Sequence, residues 1–137
     1  ATAANDSLGQ RLVPQRADAG AVMQLMRRAP VDLTGQTQLG HLPALLQAAS
    51  LLITNDSGPM HVAAAVGTPV VALFGPTNPV RTGPYGAGHR VLASRVPCSP
   101  CYSRQCRHPV PLECLTNVSP AQVLEAVREQ LAVRSAR

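Results

Sequence analysis

Leu51-Leu52-Ile53-Thr54, Asn55-Asp56-Ser57-Gly58, Pro59-Met60-His61-Val62-Ala63-Ala64-Ala65-Val66-Gly67 and Val70-Val71-Ala72-Leu73-Phe74 make up the stretch that decides the fold. The first run is continuously apolar and four residues long, which suits a buried parallel strand. Asn55 to Gly58 break it. Pro59 to Val66 reads as an alanine-rich helix, with proline in its first turn and Gly67 at its C-terminal end. Val70 to Phe74 is a second buried strand. Strand, helix and strand with tight connections predict an α/β fold with a parallel sheet.

The pattern extends in both directions. Upstream, His41 to Ala49 reads as a helix with Leu42, Leu45, Leu46 and Ala49 on its apolar face. Thr34-Gly35-Gln36-Thr37 is a turn, and Val31-Asp32-Leu33 a short strand. Ala19 to Arg28 carries Val22, Leu25 and Met26 at helical spacing, ended by Pro30. A further short strand is expected near Arg11 to Val13. Downstream, Gly75 to Gly88 is a Gly- and Pro-rich loop and Arg90 to Ala93 a strand. A cysteine-bearing loop then spans Cys98 to Cys114. Ser119-Pro120-Ala121-Gln122 opens a terminal helix with a capping box. Val123, Leu124, Val127 and Leu131 form the stripe that should dock on the sheet.

The chain has 137 residues, 45% hydrophobic, 14% charged and 2% aromatic. That suits one domain with a core and disfavours wholesale disorder. No run approaches the roughly 18 apolar residues of a membrane span. Ala1 to Leu12 has neither the basic start nor the apolar run of a signal peptide, so a secreted or membrane-spanning protein is disfavoured.

The formal net charge is +5. Every basic residue is arginine, so no lysine can form a Schiff base or grip a phosphate. Between Ser57 and Leu112 there is no Asp or Glu, while Arg81, Arg90, Arg95, Arg104 and Arg107 fall inside that window. A one-signed surface attracts anions. With one Phe, two Tyr and no Trp there is little for nucleic-acid bases to stack on. A phosphorylated small molecule or an anionic membrane surface is preferred to nucleic acid.

In open α/β sheets, ligands bind beyond the carboxyl ends of the strands. There the helix after Asn55-Asp56-Ser57-Gly58 presents unpaired N–H groups and its positive dipole end, which suits a phosphate. Ser57 adds a hydroxyl, Gly58 permits close backbone approach, His61 lies one turn into the helix, and Asp56 can accept from sugar hydroxyls. The competing reading is that Asp56 and Ser57 merely cap a helix. A second constellation, Phe74-Gly75-Pro76-Thr77-Asn78-Pro79 and Arg81-Thr82-Gly83-Pro84, also follows a strand and should neighbour the first. Thr77 could donate to an anion and Arg81 could pair with one.

Thr54 to Ala65, with Gly67-Thr68-Pro69-Val70-Val71-Ala72-Leu73-Phe74-Gly75-Pro76-Thr77, closely resembles glycosyltransferase family 9, the bacterial heptosyltransferases of lipopolysaccharide inner-core synthesis. Leu33 to Thr37 and Leu42 to Ala49 look like the same family. So does Cys98-x2-Cys101-x4-Cys106-x7-Cys114, a pattern typical of the heptosyltransferase II branch. The resemblance covers residues 31–131. It implies a GT-B enzyme of two Rossmann-like lobes, of which this chain is a single partial domain, the C-terminal nucleotide-sugar-binding one. Within it, residues 1–30 match loosely, 98–114 form the cysteine loop and 119–134 the terminal helix. It implies inverting transfer of heptose from ADP-heptose to the lipopolysaccharide inner core, in the cytoplasm and peripherally at the inner membrane face. No cofactor is required for catalysis. Asp56 would contact the heptose hydroxyls, Ser57 and Gly58 the diphosphate with His61 nearby, and Thr34 and Gly35 the adenine side. The catalytic base would lie in the N-terminal lobe, so no catalytic residue is expected in this chain. It also lacks the phosphate-contacting lysine of the family.

Three readings of the cysteines stay open. Cys98 and Cys101 form a good zinc half-site, but Cys106 and Cys114 are less regularly spaced for a structural zinc. A cytoplasmic location disfavours disulfides. Buried reduced thiols packing the loop are preferred. Two rival functions accompany the transferase reading: a non-catalytic nucleotide-sugar-binding domain, and a zinc-stabilised nucleic-acid-binding module.

Overall fold

The computed structural model describes residues 17–135. The strand expected near Arg11 to Val13 lies outside them. The chain falls into two compact units, one ending at His41 and one beginning at Leu42.

In the first unit, helix α1 covers residues 17–25. It stops short of the expected Ala19 to Arg28 span, leaving Met26 to Arg28 outside the helix, and Val22, Leu25 and Met26 are exposed, Leu25 at 87%. Val31-Asp32-Leu33 is not a strand. A strand exists only through a partner, and among the described residues none pairs with it. The following turn is as expected: Asp32 Oδ1 accepts from the Thr34 N–H at 2.8 Å, the Gln36 N–H donates to Leu33 O, and Gly35 takes the left-handed φ of +71°. A 3-10 turn, Leu39–His41, closes the unit.

The second unit runs α2 (Leu42–Ala48), β1 (Leu52–Asn55), α3 (Gly58–Ala65), β2 (Val70–Phe74), α4 (Pro79–Thr82), β3 (Arg90–Ala93), α5 (Glu113–Thr116) and α6 (Pro120–Ser135). The sheet is parallel throughout, in the order β1-β2-β3. Register places Leu52 opposite Val70 and Val71 opposite Arg90. α4 corrects the expectation of an uninterrupted loop from Gly75 to Gly88.

β2 is the centre of the core. Val70, Ala72 and Phe74 pack with Leu46 of α2 and with Met60 and Ala63 of α3. Val71, on the opposite face, is also fully buried, where α5 and α6 lie against β2. Burying each of the Val, Leu, Met and Phe side chains contributes about 1.5–3 kcal/mol. β1 departs from the expected buried strand: its burial alternates and Ile53 is 53% exposed. Among the described residues β1 pairs with β2 alone, at one end of the sheet order.

α3 ends in a Schellman motif. The Gly67 N–H donates to Ala64 O, the Thr68 N–H donates to Ala63 O, and Gly67 adopts φ +81°. Buried Thr68 then donates its hydroxyl to Leu46 O at 2.6 Å, tying α2 to the start of β2. α6 opens on the expected capping box: the Ser119 N–H donates to Gln122 Oε1, and the Gln122 N–H to Ser119 Oγ. Its docking stripe is shifted. Val123 and Val127 are half-buried and Leu124 and Leu131 exposed, while Ala126 is the deeply buried contact.

Candidate functional site

β1 and β2 are parallel neighbours, with Asn55 opposite Leu73. Their outgoing loops therefore leave the same edge of the sheet, where an open α/β sheet places its ligands. α3 starts at once after β1. Ser57 occupies its N-cap position with an extended backbone, φ −156° and ψ 162°, yet its side chain makes no cap hydrogen bond. Its Oγ lies 2.9 Å from Thr54 Oγ1 instead. Pro59 has no N–H to offer. A Cβ placed on Gly58 would meet nothing within 4 Å, so no neighbouring side chain requires glycine there, and the first turn of α3 is open. His61 is exposed on that helix.

The second constellation does reach the first. Thr82, on α4, donates its hydroxyl to Asp56 Oδ2 at 3.1 Å. α4 itself is capped by Asn78, whose Oδ1 accepts from the Val80 N–H at 2.9 Å. Thr77 Oγ1 is buried and has no hydrogen-bond partner among the described residues. Arg81 is exposed, with its guanidinium carbon 5.8 Å from the centroid of the Tyr102 ring.

The cysteine loop is fastened onto this strand exit. Ser99 Oγ donates to Gly75 O at 2.6 Å, and the Tyr102 N–H to Pro76 O at 2.8 Å. A Cβ on Gly75 would stand 2.7 Å from both Cγ and Cδ2 of Leu115 and 3.1 Å from Cys114 Sγ. Gly75 is therefore where α5 closes down on β2. Thr82, Ser99 and Tyr102 were not singled out by sequence reasoning. Their partners lie 24 to 26 residues away for Thr82 and Ser99, and no local pattern reports such pairs.

Thr34 and Gly35 belong to the first unit and form the Asx-type turn described above. Asp56, Ser57, Gly58, His61, Thr77 and Arg81 all belong to the second.

Of the four cysteines, only Cys114 is buried; Cys98, Cys101 and Cys106 are exposed, which corrects the expectation of buried thiols for those three. Burial pushes the Cys114 thiol up, and charge on Cys98, Cys101 and Cys106 adds to the rise. Backbone hydrogen bonds hold Cys106 down, the Leu112 N–H first and His108 second; the Leu112 N–H is 3.3 Å from its sulfur. Among the described residues no three His, Cys, Asp or Glu side chains converge as a metal site requires. The zinc expectation thus has no donor set in this arrangement.

A family model, glycosyltransferase family 9 (heptosyltransferase), matches residues 10–110. The chain belongs to glycosyltransferase family 9. Lipopolysaccharide heptosyltransferase 2 of Escherichia coli is 48% identical over 61 residues, 44% of this chain and 18% of that protein. Among solved structures, a family-9 glycosyl transferase from Veillonella parvula superposes with a TM-score of 0.70 at 37% identity, covering 85% of this chain and 33% of its own. The ADP-heptose lipopolysaccharide heptosyltransferase II of E. coli gives 0.61 at 34% identity, covering 75% and 28%. The chain thus spans a fifth to a third of the family-9 proteins it matches. The parallel α/β fold expected from the sequence is shared with these glycosyltransferases.

Proposed function

We propose that this chain is the donor-binding part of an inverting heptosyltransferase, from the C-terminal lobe of a GT-B enzyme, and that it holds ADP-heptose for transfer to the lipopolysaccharide inner core. One observation carries the reading. The N-terminus of α3 is open over Gly58 and uncapped by Ser57, beside an Asp56 carboxylate oriented by Thr82. The solved E. coli neighbour is described by its ADP-heptose donor, which supports the choice of sugar nucleotide.

In this reading the diphosphate sits against the first turn of α3, where the Gly58 N–H and the Ser57 hydroxyl donate to it, the Met60 N–H being bonded to Ser57 O. Asp56 accepts from sugar hydroxyls. During transfer, an acceptor hydroxyl attacks the anomeric carbon from the face opposite the phosphate. The anomeric carbon–oxygen bond to ADP breaks as the new glycosidic bond forms, with inversion. A base outside this chain takes the hydroxyl proton. Negative charge grows on the departing diphosphate, and preorganised donors at α3 stabilise it. The chain therefore supplies the leaving-group half of the reaction and no base. We place the reaction in the cytoplasm, peripherally at the inner membrane face. No described helix is long and apolar enough to cross a membrane.

Titration of the isotopically labelled chain with ADP tests the reading. The expected result is weak binding, with a Kd of about 1 mM, that is about −4 kcal/mol, and amide shifts concentrated on Asn55 to His61. The chain alone should transfer nothing. Shifts absent from α3 at saturating ADP, or turnover by the chain alone, would overturn it. Metal analysis of protein purified without chelator tests the zinc alternative: one equivalent of zinc would show that the four thiols converge in solution.

A further inference from the structure

We propose that Tyr102 is a positioning residue that aims Arg81 at the diphosphate of the donor, so that the cysteine loop forms a second wall of the donor site. The proposal rests on the donor reading above and deepens it.

Three observations converge. First, Tyr102 is held in an unusual backbone state. Its φ is +53°, in the left-handed region that a bulky side chain rarely adopts. The Tyr102 N–H to Pro76 O bond and the Ser99 hydroxyl to Gly75 O bond grip the two residues just before Thr77. The fold thus retains a strained aromatic residue where the cysteine loop meets the strand exit, and strain of this kind collects at functional positions.

Second, the ring meets a cation that makes no ion pair with Asp or Glu among the described residues. The ion pairs among the described residues join Arg90 to Glu129 and His108 to Glu113. No Asp or Glu occurs between Ser57 and Leu112. Arg81 instead lies over the Tyr102 face at 5.8 Å. A guanidinium attracted by a ring face keeps the N–H donors along its own edge free. Tyr102 therefore orients Arg81 without consuming the bonds a phosphate would take.

Third, Arg81 is the chain neighbour of a residue that reaches the site. It precedes Thr82, whose hydroxyl reaches Asp56, and Thr77 on the same loop has a buried hydroxyl oxygen with no partner among the described residues. A bidentate anion such as a diphosphate fits a planar donor fork better than a single point charge.

The test uses the whole chain with Tyr102→Phe, Tyr102→Leu, Arg81→Gln and the double variant Arg81→Gln/Tyr102→Leu, titrated separately with ADP, pyrophosphate and adenosine. Arg81→Gln should weaken ADP and pyrophosphate about tenfold and leave adenosine unchanged. Tyr102→Leu should weaken the same two ligands about threefold, Tyr102→Phe should restore them, and Tyr102→Leu should add nothing once Arg81 is gone. In the free wild type, the Arg81 side-chain protons should show an upfield ring-current shift that Tyr102→Phe keeps and Tyr102→Leu removes. A wild type that binds no ADP would overturn the donor reading and this proposal with it. Normal ADP binding by Tyr102→Leu, an effect equal in Tyr102→Phe, additivity with Arg81→Gln, or no ring-current shift would overturn this proposal alone.

Discussion

Ser57→Ala separates a structural from a functional use of the residue that begins α3. A serine that caps a helix stabilises it by about 1 kcal/mol, within a range of roughly 0.5–2. Ser57 stands at the N-cap position, but its hydroxyl makes no bond to the first turn. It lies against Thr54 Oγ1 at 2.9 Å, in a part-buried position, and Thr54 Oγ1 has a second partner in Asn55 O at 3.0 Å. Removing the hydroxyl therefore leaves no capping bond broken and no buried group stranded. We expect Ser57→Ala to cost less than about 0.5 kcal/mol in urea denaturation, below the usual value of a lost cap. Lost donation to a charged phosphate corresponds to about 1.5–3 kcal/mol. ADP affinity should fall tenfold or more, since about 1.4 kcal/mol is a factor of ten. The two measurements are independent and read opposite outcomes. Loss of 1 kcal/mol or more in stability with unchanged ADP affinity would show that Ser57 is a helix cap and that the diphosphate lies elsewhere.

Thr82→Val removes the hydroxyl that donates to Asp56; stability should drop by about 1 kcal/mol, and titration with an ADP-sugar should lose affinity while adenosine does not. Gly75→Ala drives a methyl to 2.7 Å from Leu115 Cγ and should cost about 1–3 kcal/mol by denaturant titration, most of it recovered in a Leu115→Ala background; equal costs in both backgrounds would refute the contact. For the thiols, hydrogen bonds to the Cys106 sulfur favour the thiolate, whereas burial of Cys114 disfavours it. As pH rises, iodoacetamide should therefore label Cys106 well before Cys114, read by peptide mass mapping, and the reverse order would contradict the loop geometry.

The parts of the fold that sequence could read are those written in contiguous residues. β2 and β3 have the expected bounds because a turn precedes each and its apolar residues are continuous. α6 begins where its capping box begins, since both halves of the box lie within four residues. α4 was missed because four residues cannot show helical periodicity, although Asn78-Pro79 is an N-cap followed by a first-turn proline and would have marked it. Val31 to Leu33 has strand composition, but composition cannot supply a neighbouring strand. The candidate site divides in the same way. Asp56, Ser57 and Gly58 announce themselves within one loop. That the Ser57 hydroxyl chooses Thr54 over the helix, or that Thr82 reaches Asp56, is decided by distances between segments that the one-dimensional pattern does not hold.

The acid-free window acquires a different meaning once folded. Read along the chain, its five arginines suggest one positive field, open to any polyanion. In space they are not equivalent. Arg90 is paired with Glu129 at 2.7 Å, so it adds little net field, and an exposed pair of this kind contributes at most about 1 kcal/mol. Arg81 lies over the Tyr102 ring and precedes Thr82, whose hydroxyl reaches Asp56. Arg95, Arg104 and Arg107 are exposed along the segment between β3 and α5. A nucleic acid would need several cations spaced along a track, together with faces for its bases, and a single oriented guanidinium near an open helix N-terminus does not provide that. The donor proposed above carries two adjacent phosphates, a ligand that one guanidinium and one helix N-terminus can meet together, and the proposal rests on that local arrangement more than on the net charge of +5.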